Sequence, residues 1–199
     1  MKKTPWVELL KASNTRPIVS KSNKFKSDFF EHKFNASFLK LIQLKGLNLT
    51  KKEHQTTVLF APEIKTFQKS FIYRPFSFGP HKNLGLIVFG PEIIAQFLHG
   101  LLGGSPKIAP LPLQNAPTSL EKKTLEDLNG ALSLSLREGL KGLLGIHDCV
   151  IEKDWDELAL TQNLSKSGSY FRETFLYQGT TEQRMDVFLK VESFTPSPS

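Results

Sequence analysis

Between Phe97 and Asn129 the chain reads FLHGLLGGSPKIAPLPLQNAPTSLEKKTLEDLN. Helix-forming sequence has to stop at a pair of glycines, cross a stretch with prolines at 106, 110, 112 and 117, and start again at Thr118. No regular element runs through such a stretch, because proline lacks an amide donor and fixes φ. Upstream, PEIIAQFLHGLL opens with Pro91, whose φ suits the first helical position, and Gly103 supplies the left-handed residue that ends a helix. Downstream, Thr118 and Glu121 fit a capping box, in which each side chain satisfies a free amide of the other's turn. Leu125, Leu128, Leu132, Leu136, Leu140 and Leu143 then mark one stripe of a long helix. Gly130 and Gly139 weaken it by up to about 1 kcal/mol each, and a glycine on a helix face admits close approach of another element.

The rest of the chain is read by the same periodicities. Phe30, Phe34, Phe38 and Leu41 recur at helical spacing within residues 28–45, with Asp28 as N-cap and Gly46 as stop. The aromatic stripe reads as core. QTTVLFA (55–61) reads as a strand, and Pro62 opens a short turn of helix. SFIYRPFSF (70–78) and NLGLIVFG (83–90) read as a hairpin around GPHK. SYFRETFLYQ and QRMDVFLKVESF alternate apolar and polar residues around GTTE and form a second hairpin. TPWVELLKA, with Trp6, Leu9 and Leu10 on one side, suits two helical turns, and residues 13–27 read as a polar linker. The order predicts an α+β fold with a mostly antiparallel sheet.

Hydrophobic residues make up 39% of 199 residues, enough for one domain with a true core. No apolar run approaches the roughly 20 residues needed to cross a bilayer, and MKKTPWVELLKAS lacks the long apolar region of a secretory signal. One cysteine, Cys149, excludes an internal disulfide and a cysteine-rich zinc site, and a reducing cytoplasm is the expected home. Residues 1–52 carry 12 Lys and Arg against 3 Asp and Glu, whereas the remainder carries 14 against 16. The basic character thus belongs to the amino-terminal quarter, which could meet nucleic acid, anionic lipid or an acidic partner.

From Asn83 to Leu140 the succession of NLGLIVFG, PEIIAQFLHGLLGG, a variable loop and TSLEKKTLEDLNGALSLSLREGL resembles the middle domain of flagellar motor switch proteins. Leu102-Gly103-Gly104 and Thr118-Ser119-Leu120-Glu121 carry the match, and the likeness in element order extends over about residues 28–194. The resemblance implies a chemotaxis-phosphatase-like, three-layer α/β/α fold. It also implies that the loop after the paired glycines contacts the torque-generating rotor subunit. The partner-binding residues expected on this ground are Gly103, Gly104, Ser105, Pro106, Lys107 and Ile108. Where the family reads Gly-Gly-x-Gly, Pro106 replaces the last glycine. The family's acidic amino-terminal helix, which captures a phosphorylated response regulator, is matched only faintly by TPWVELLK. The family's small carboxy-terminal β-domain would follow TPSPS. The implied domain plan is a basic arm at 1–27, the motor-switch-like domain at 28–194 and the start of a linker at 195–199. The ring component of type III secretion injectisomes shares the general plan.

Enzymatic readings are thinner. The phosphatases of this fold use a helical Glu-x-x-Asn pair that positions a water for attack on an acyl phosphate, a positioning task. Glu126 and Asn129 have that spacing, but Lys122 stands where the pattern wants Ser or Asp, and no second copy occurs. His32, His54, His81, His99 and His147 are scattered and form no HExxH motif. HDC at 147–149 puts adjacent residues on opposite strand faces, and DWDE at 154–157 reads as an acidic turn. No catalytic residue, metal or cofactor is expected. Nucleic-acid binding through the arm would supply only the sequence-independent electrostatic contribution. The sequence therefore leads to a non-enzymatic scaffold in a large homo- and hetero-oligomeric ring. It would lie at the inner face of the cell membrane among other rotor or injectisome subunits, with a response regulator as a further partner and no small-molecule substrate. The prolines of the 103–118 loop would lower the entropy lost on docking, with Ile108, Leu111 and Leu113 as apolar anchors if exposed and as a lid on the core if they fold back.

Overall fold

In the computed structural model the described residues are 21–44, 47–60, 71–105, 107–111, 118–144, 146–152, 156, 159–160, 162 and 169–190. The two predicted hairpins form the middle of the sheet. Ser169–Gln178 (β5) and Glu182–Lys190 (β6) pair antiparallel from Tyr170 opposite Lys190 to Gln178 opposite Glu182. Ile72–Phe78 (β2) and Asn83–Phe89 (β3) pair from Ile72 opposite Phe89 to Phe78 opposite Asn83. Gly79 takes the left-handed conformation at φ 70° that opens the β2–β3 turn. β3 joins β6, Thr50–Phe60 (β1) adds outside β5, and the short Cys149–Ile151 (β4) adds outside β2. The six strands therefore run in the order β1-β5-β6-β3-β2-β4, every neighbouring pair antiparallel.

Among the described residues three helices cover one face: Lys21–Gln43 (α1), Pro91–Leu101 (α2) and Ser119–Leu144 (α3). Phe30, Phe34 and Phe38 are fully buried and stack ring on ring at 5.4 and 5.8 Å. Phe34 leans on Phe175 at 5.2 Å and Phe38 on Tyr177 at 5.8 Å, which lays α1 along β5. Each such ring taken from water contributes about 1.5–3 kcal/mol. Leu128, Leu132, Leu136 and Leu140 of α3 enter the same core, while the side chains of Leu125 and Leu143 lie outside the described residues. On the opposite face helical residues 159–160 and 162 lay Leu160 over Tyr73, Leu86, Val88, Tyr170 and Phe188. The result is the expected α+β, three-layer arrangement around an antiparallel sheet.

Two boundaries and one core position differ from the sequence reading. α1 starts at Lys21, so Asp28 is an exposed residue of the helix body and not its cap, and residues 21–27 are helical rather than linker. The fourth core residue of α1 is Ile42, fully buried, with Leu41 only half-buried, because steps of four continue the row that faces the sheet. β1 begins at Thr50 instead of residue 55, with a bulge between Lys51 and Glu53. The expectations for Trp6, Leu9 and Leu10, for Gly46, for Pro62 and for residues 195–199 fall outside the described residues.

Candidate docking loop

The site is built from the end of α2. Gly90 enters the helix in an extended conformation, φ −71° and ψ 160°, and Pro91 takes the first turn, where its missing donor costs nothing. At the other end Leu102 is the C-cap and Gly103 turns left-handed at φ 79°. The Gly104 amide donates to the His99 carbonyl at 2.7 Å and the Gly103 amide to the Gly100 carbonyl at 3.1 Å. These two bonds make a Schellman motif and satisfy carbonyls that the helix end leaves open.

The paired glycines differ in their surroundings. A Cβ on Gly103 would meet nothing within 4 Å, so its backbone conformation alone selects glycine. Gly104 has no such conformation, but a Cβ there would sit 2.3 Å from His99 Cε1. His99 Nε2 hydrogen-bonds the Ser105 carbonyl at 2.9 Å. That same carbonyl accepts the Ile108 amide at 3.1 Å, and Ser105 Oγ accepts the Lys107 amide at 3.4 Å.

Apolar side chains before, on and after this turn face solvent. Leu102 is 70% exposed, Ile108 59% and Leu111 85%. Of the residues expected to bind a partner, Gly103, Gly104, Ser105, Lys107 and Ile108 form this one turn; Pro106 lies outside the described residues, as does Leu113. The chain re-enters regular structure at Thr118. Its amide and hydroxyl donate to Glu121 Oε2 at 2.7 and 2.8 Å, and its Oγ1 accepts the Glu121 amide at 3.3 Å. The capping box is thus complete, and the bonds from Thr118 hold the Glu121 carboxyl below its ordinary value.

Glu126 is exposed, and Asn129 Oδ1 accepts a hydrogen bond from Arg74 Nε on β2 at 3.0 Å. Burial lowers the pKa of that guanidinium, opposed by the charge of Glu126. The carboxamide oxygen is therefore committed to a structural contact. His147 and Asp148 are exposed beside buried Cys149, and among the described residues no three metal-ligating side chains gather.

Sequence reasoning missed two polar clusters that the strand register assembles. On the face away from the helices, Asp186 accepts from Arg172 at 3.1 and 3.2 Å, from Thr174 at 2.6 Å and from Arg184 at 3.1 and 3.3 Å. On the helix face, Glu173 meets His54 Nε2 at 2.7 Å and accepts from Thr56 at 2.8 Å. The available signal was the alternation of Arg172 with Thr174 and of Arg184 with Asp186 in facing strands, which puts all four on one face.

In space the chain matches a chain of the FliG–FliM complex from H. pylori with a TM-score of 0.70 at 15% identity, over 88% of this chain and 98% of that one. The FliM middle domain from H. pylori matches with a TM-score of 0.64 at 13% identity, over 88% and 95%. The chain has the fold of the FliM middle domain. The FliM middle domain from Vibrio alginolyticus agrees, with a TM-score of 0.63 at 12% identity over 84% and 95% of the two chains. In sequence, no protein-family model and no curated protein matches. The FliM-type fold therefore survives here on a largely different set of side chains, with the loop between α2 and α3 as its most exposed apolar feature described.

Proposed function

We propose that this protein is a non-enzymatic scaffold subunit of the cytoplasmic switch ring of a bacterial flagellar motor, which docks a neighbouring rotor subunit through the 103–118 loop. The observation that carries this reading is the exposure of Ile108 on a hydrogen-bonded turn, with Leu111 exposed three residues further on. The setting supports it: the fold matches chains from a FliG–FliM complex and from a FliM–SpeE complex, both of H. pylori. Exposed aliphatic side chains on a pre-ordered turn gain buried area on docking while losing little conformational freedom. The engagement of Asn129 by Arg74 favours a scaffold over a phosphatase. In this reading the motor-switch-like domain spans about residues 28–194. The basic residues ahead of it face a neighbouring subunit or the inner membrane surface, and 195–199 begin a linker.

The test is a titration of the protein with the FliG-type rotor subunit of its own motor. Ile108→Asp combined with Leu111→Asp, both at exposed positions, leaves folding intact and weakens binding by about a hundredfold, the scale of two lost apolar anchors. Binding equal to wild type would remove the loop from the interface. A response-regulator dephosphorylation assay in which Asn129→Ala abolishes activity would replace the scaffold reading with the catalytic one.

A further inference from the structure

We infer that His99 is the positioning residue of the docking loop, a latch that ties the end of α2 to the turn carrying Ile108. This rests on the docking reading above and deepens it. His99 belongs to the last turn of α2, yet its ring packs on Gly104 and bonds the Ser105 carbonyl at 2.9 Å. Its own carbonyl holds the Gly104 amide at 2.7 Å. One residue thus grips the loop from both its backbone and its side chain. Ser105 passes the grip on, since its carbonyl also accepts the Ile108 amide at 3.1 Å. Ile108, 59% exposed, is consequently held by a chain of hydrogen bonds that ends on a helix whose Phe97 and Leu98 are in the core.

Gly104 is the complement of this latch. Its backbone is open to any residue, and the space its side chain would need is filled by the imidazole, at 2.3 Å from Cε1 and 2.4 Å from Nε2. The second glycine of the pair is therefore explained by His99 and not by turn geometry. A methyl group at 104 displaces the ring and breaks its bond to Ser105 without requiring a strained backbone. The latch predicts that the two positions are coupled.

The experiment is a double-mutant cycle of His99→Ala and Gly104→Ala in the full chain. Two readouts are used: amide hydrogen exchange at Gly104 and Ile108, and affinity for the FliG-type rotor subunit. His99→Ala and Gly104→Ala each speed exchange at Ile108 by about tenfold, the equivalent of one net hydrogen bond. In the His99→Ala background Gly104→Ala adds nothing. His99→Gln, which offers an amide donor of similar reach, restores most of the protection and of the affinity. Exchange that does not respond to His99→Ala, or Gly104→Ala effects that are equal in both backgrounds, overturns the latch. Loosened exchange with unchanged affinity overturns its role in positioning Ile108. If the wild type binds no rotor subunit, the docking reading fails while the exchange cycle still decides the latch.

Discussion

Gly139 of α3 lies against Phe30 of α1 so closely that a Cβ on the glycine would sit 2.7 Å from the ring. The helices run antiparallel, with Ser135 opposite Ser37 one turn away, and the absent side chain lets α1 and α3 approach closely at Phe30 and Phe34. Gly130, on the same helix, faces open space. Gly139→Ala therefore lowers stability by about 1–3 kcal/mol through overpacking, while Gly130→Ala raises it by up to about 1 kcal/mol through helix propensity. Denaturant midpoints of the two variants check the opposite signs.

Asp186 is buried and supports two arginines. Burial alone would raise its pKa, but the charges of Arg172 and Arg184, with hydrogen bonds from Arg172 and Thr174, outweigh it and hold the carboxyl below its ordinary value of 3.8. A folded value below the unfolded one means that the stabilisation is complete above the unfolded value and is lost as pH falls through the folded value. Asp186→Asn costs about 3–5 kcal/mol near neutrality, because the arginines lose their counter-charge. It also flattens the acid limb of the stability curve. Urea unfolding across a pH series measures both effects.

Cys149 is 1% exposed, and burial pushes its thiol up to about 12, the charge of Arg137 opposing only in part. Thiolate is the reactive form. At about pH 8, near the value of a free thiol, the folded protein reacts with a disulfide reagent only through opening of the sheet edge. Labelling is slow in buffer and reaches the rate of a free thiol in denaturant. Fast labelling of the folded chain would contradict the burial of β4.

Thr118 closes the loop that Gly103 opens. Thr118→Ala removes the Oγ1 contacts to the Glu121 amide and carboxylate and costs about 1 kcal/mol. Thr118→Ser retains them and stays within a few tenths of a kcal/mol of wild type. Thermal unfolding of the pair distinguishes loss of the cap from loss of the methyl group.

Much of this fold was legible wherever its cause is local. The stop at Gly103, the start at Thr118 and both hairpins depend on residues a few positions apart. Boundaries failed where the cause is distant. Thr50 to His54 extend β1 because Gln178 to Phe175 of β5 lie opposite them, a pairing that no window around Lys51 and Lys52 reveals. Residues 21–27 lack apolar periodicity, so pattern alone reads them as linker although they are helical. At the candidate site the exposure of Ile108 and Leu111 was one of two options in sequence, since an apolar residue in a loop can equally fold inward.

The sequence by itself determined the stop at Gly103, the start at Thr118 and the two hairpins, because capping, left-handed glycine and strand alternation are satisfied within a few residues. Only the tertiary structure decided the strand order β1-β5-β6-β3-β2-β4, the hydrogen bond from Arg74 to Asn129, and the space left beside Gly104 and Gly139. Each of these is a contact between surfaces brought together by packing, and the volume left at such a contact depends on both sides at once.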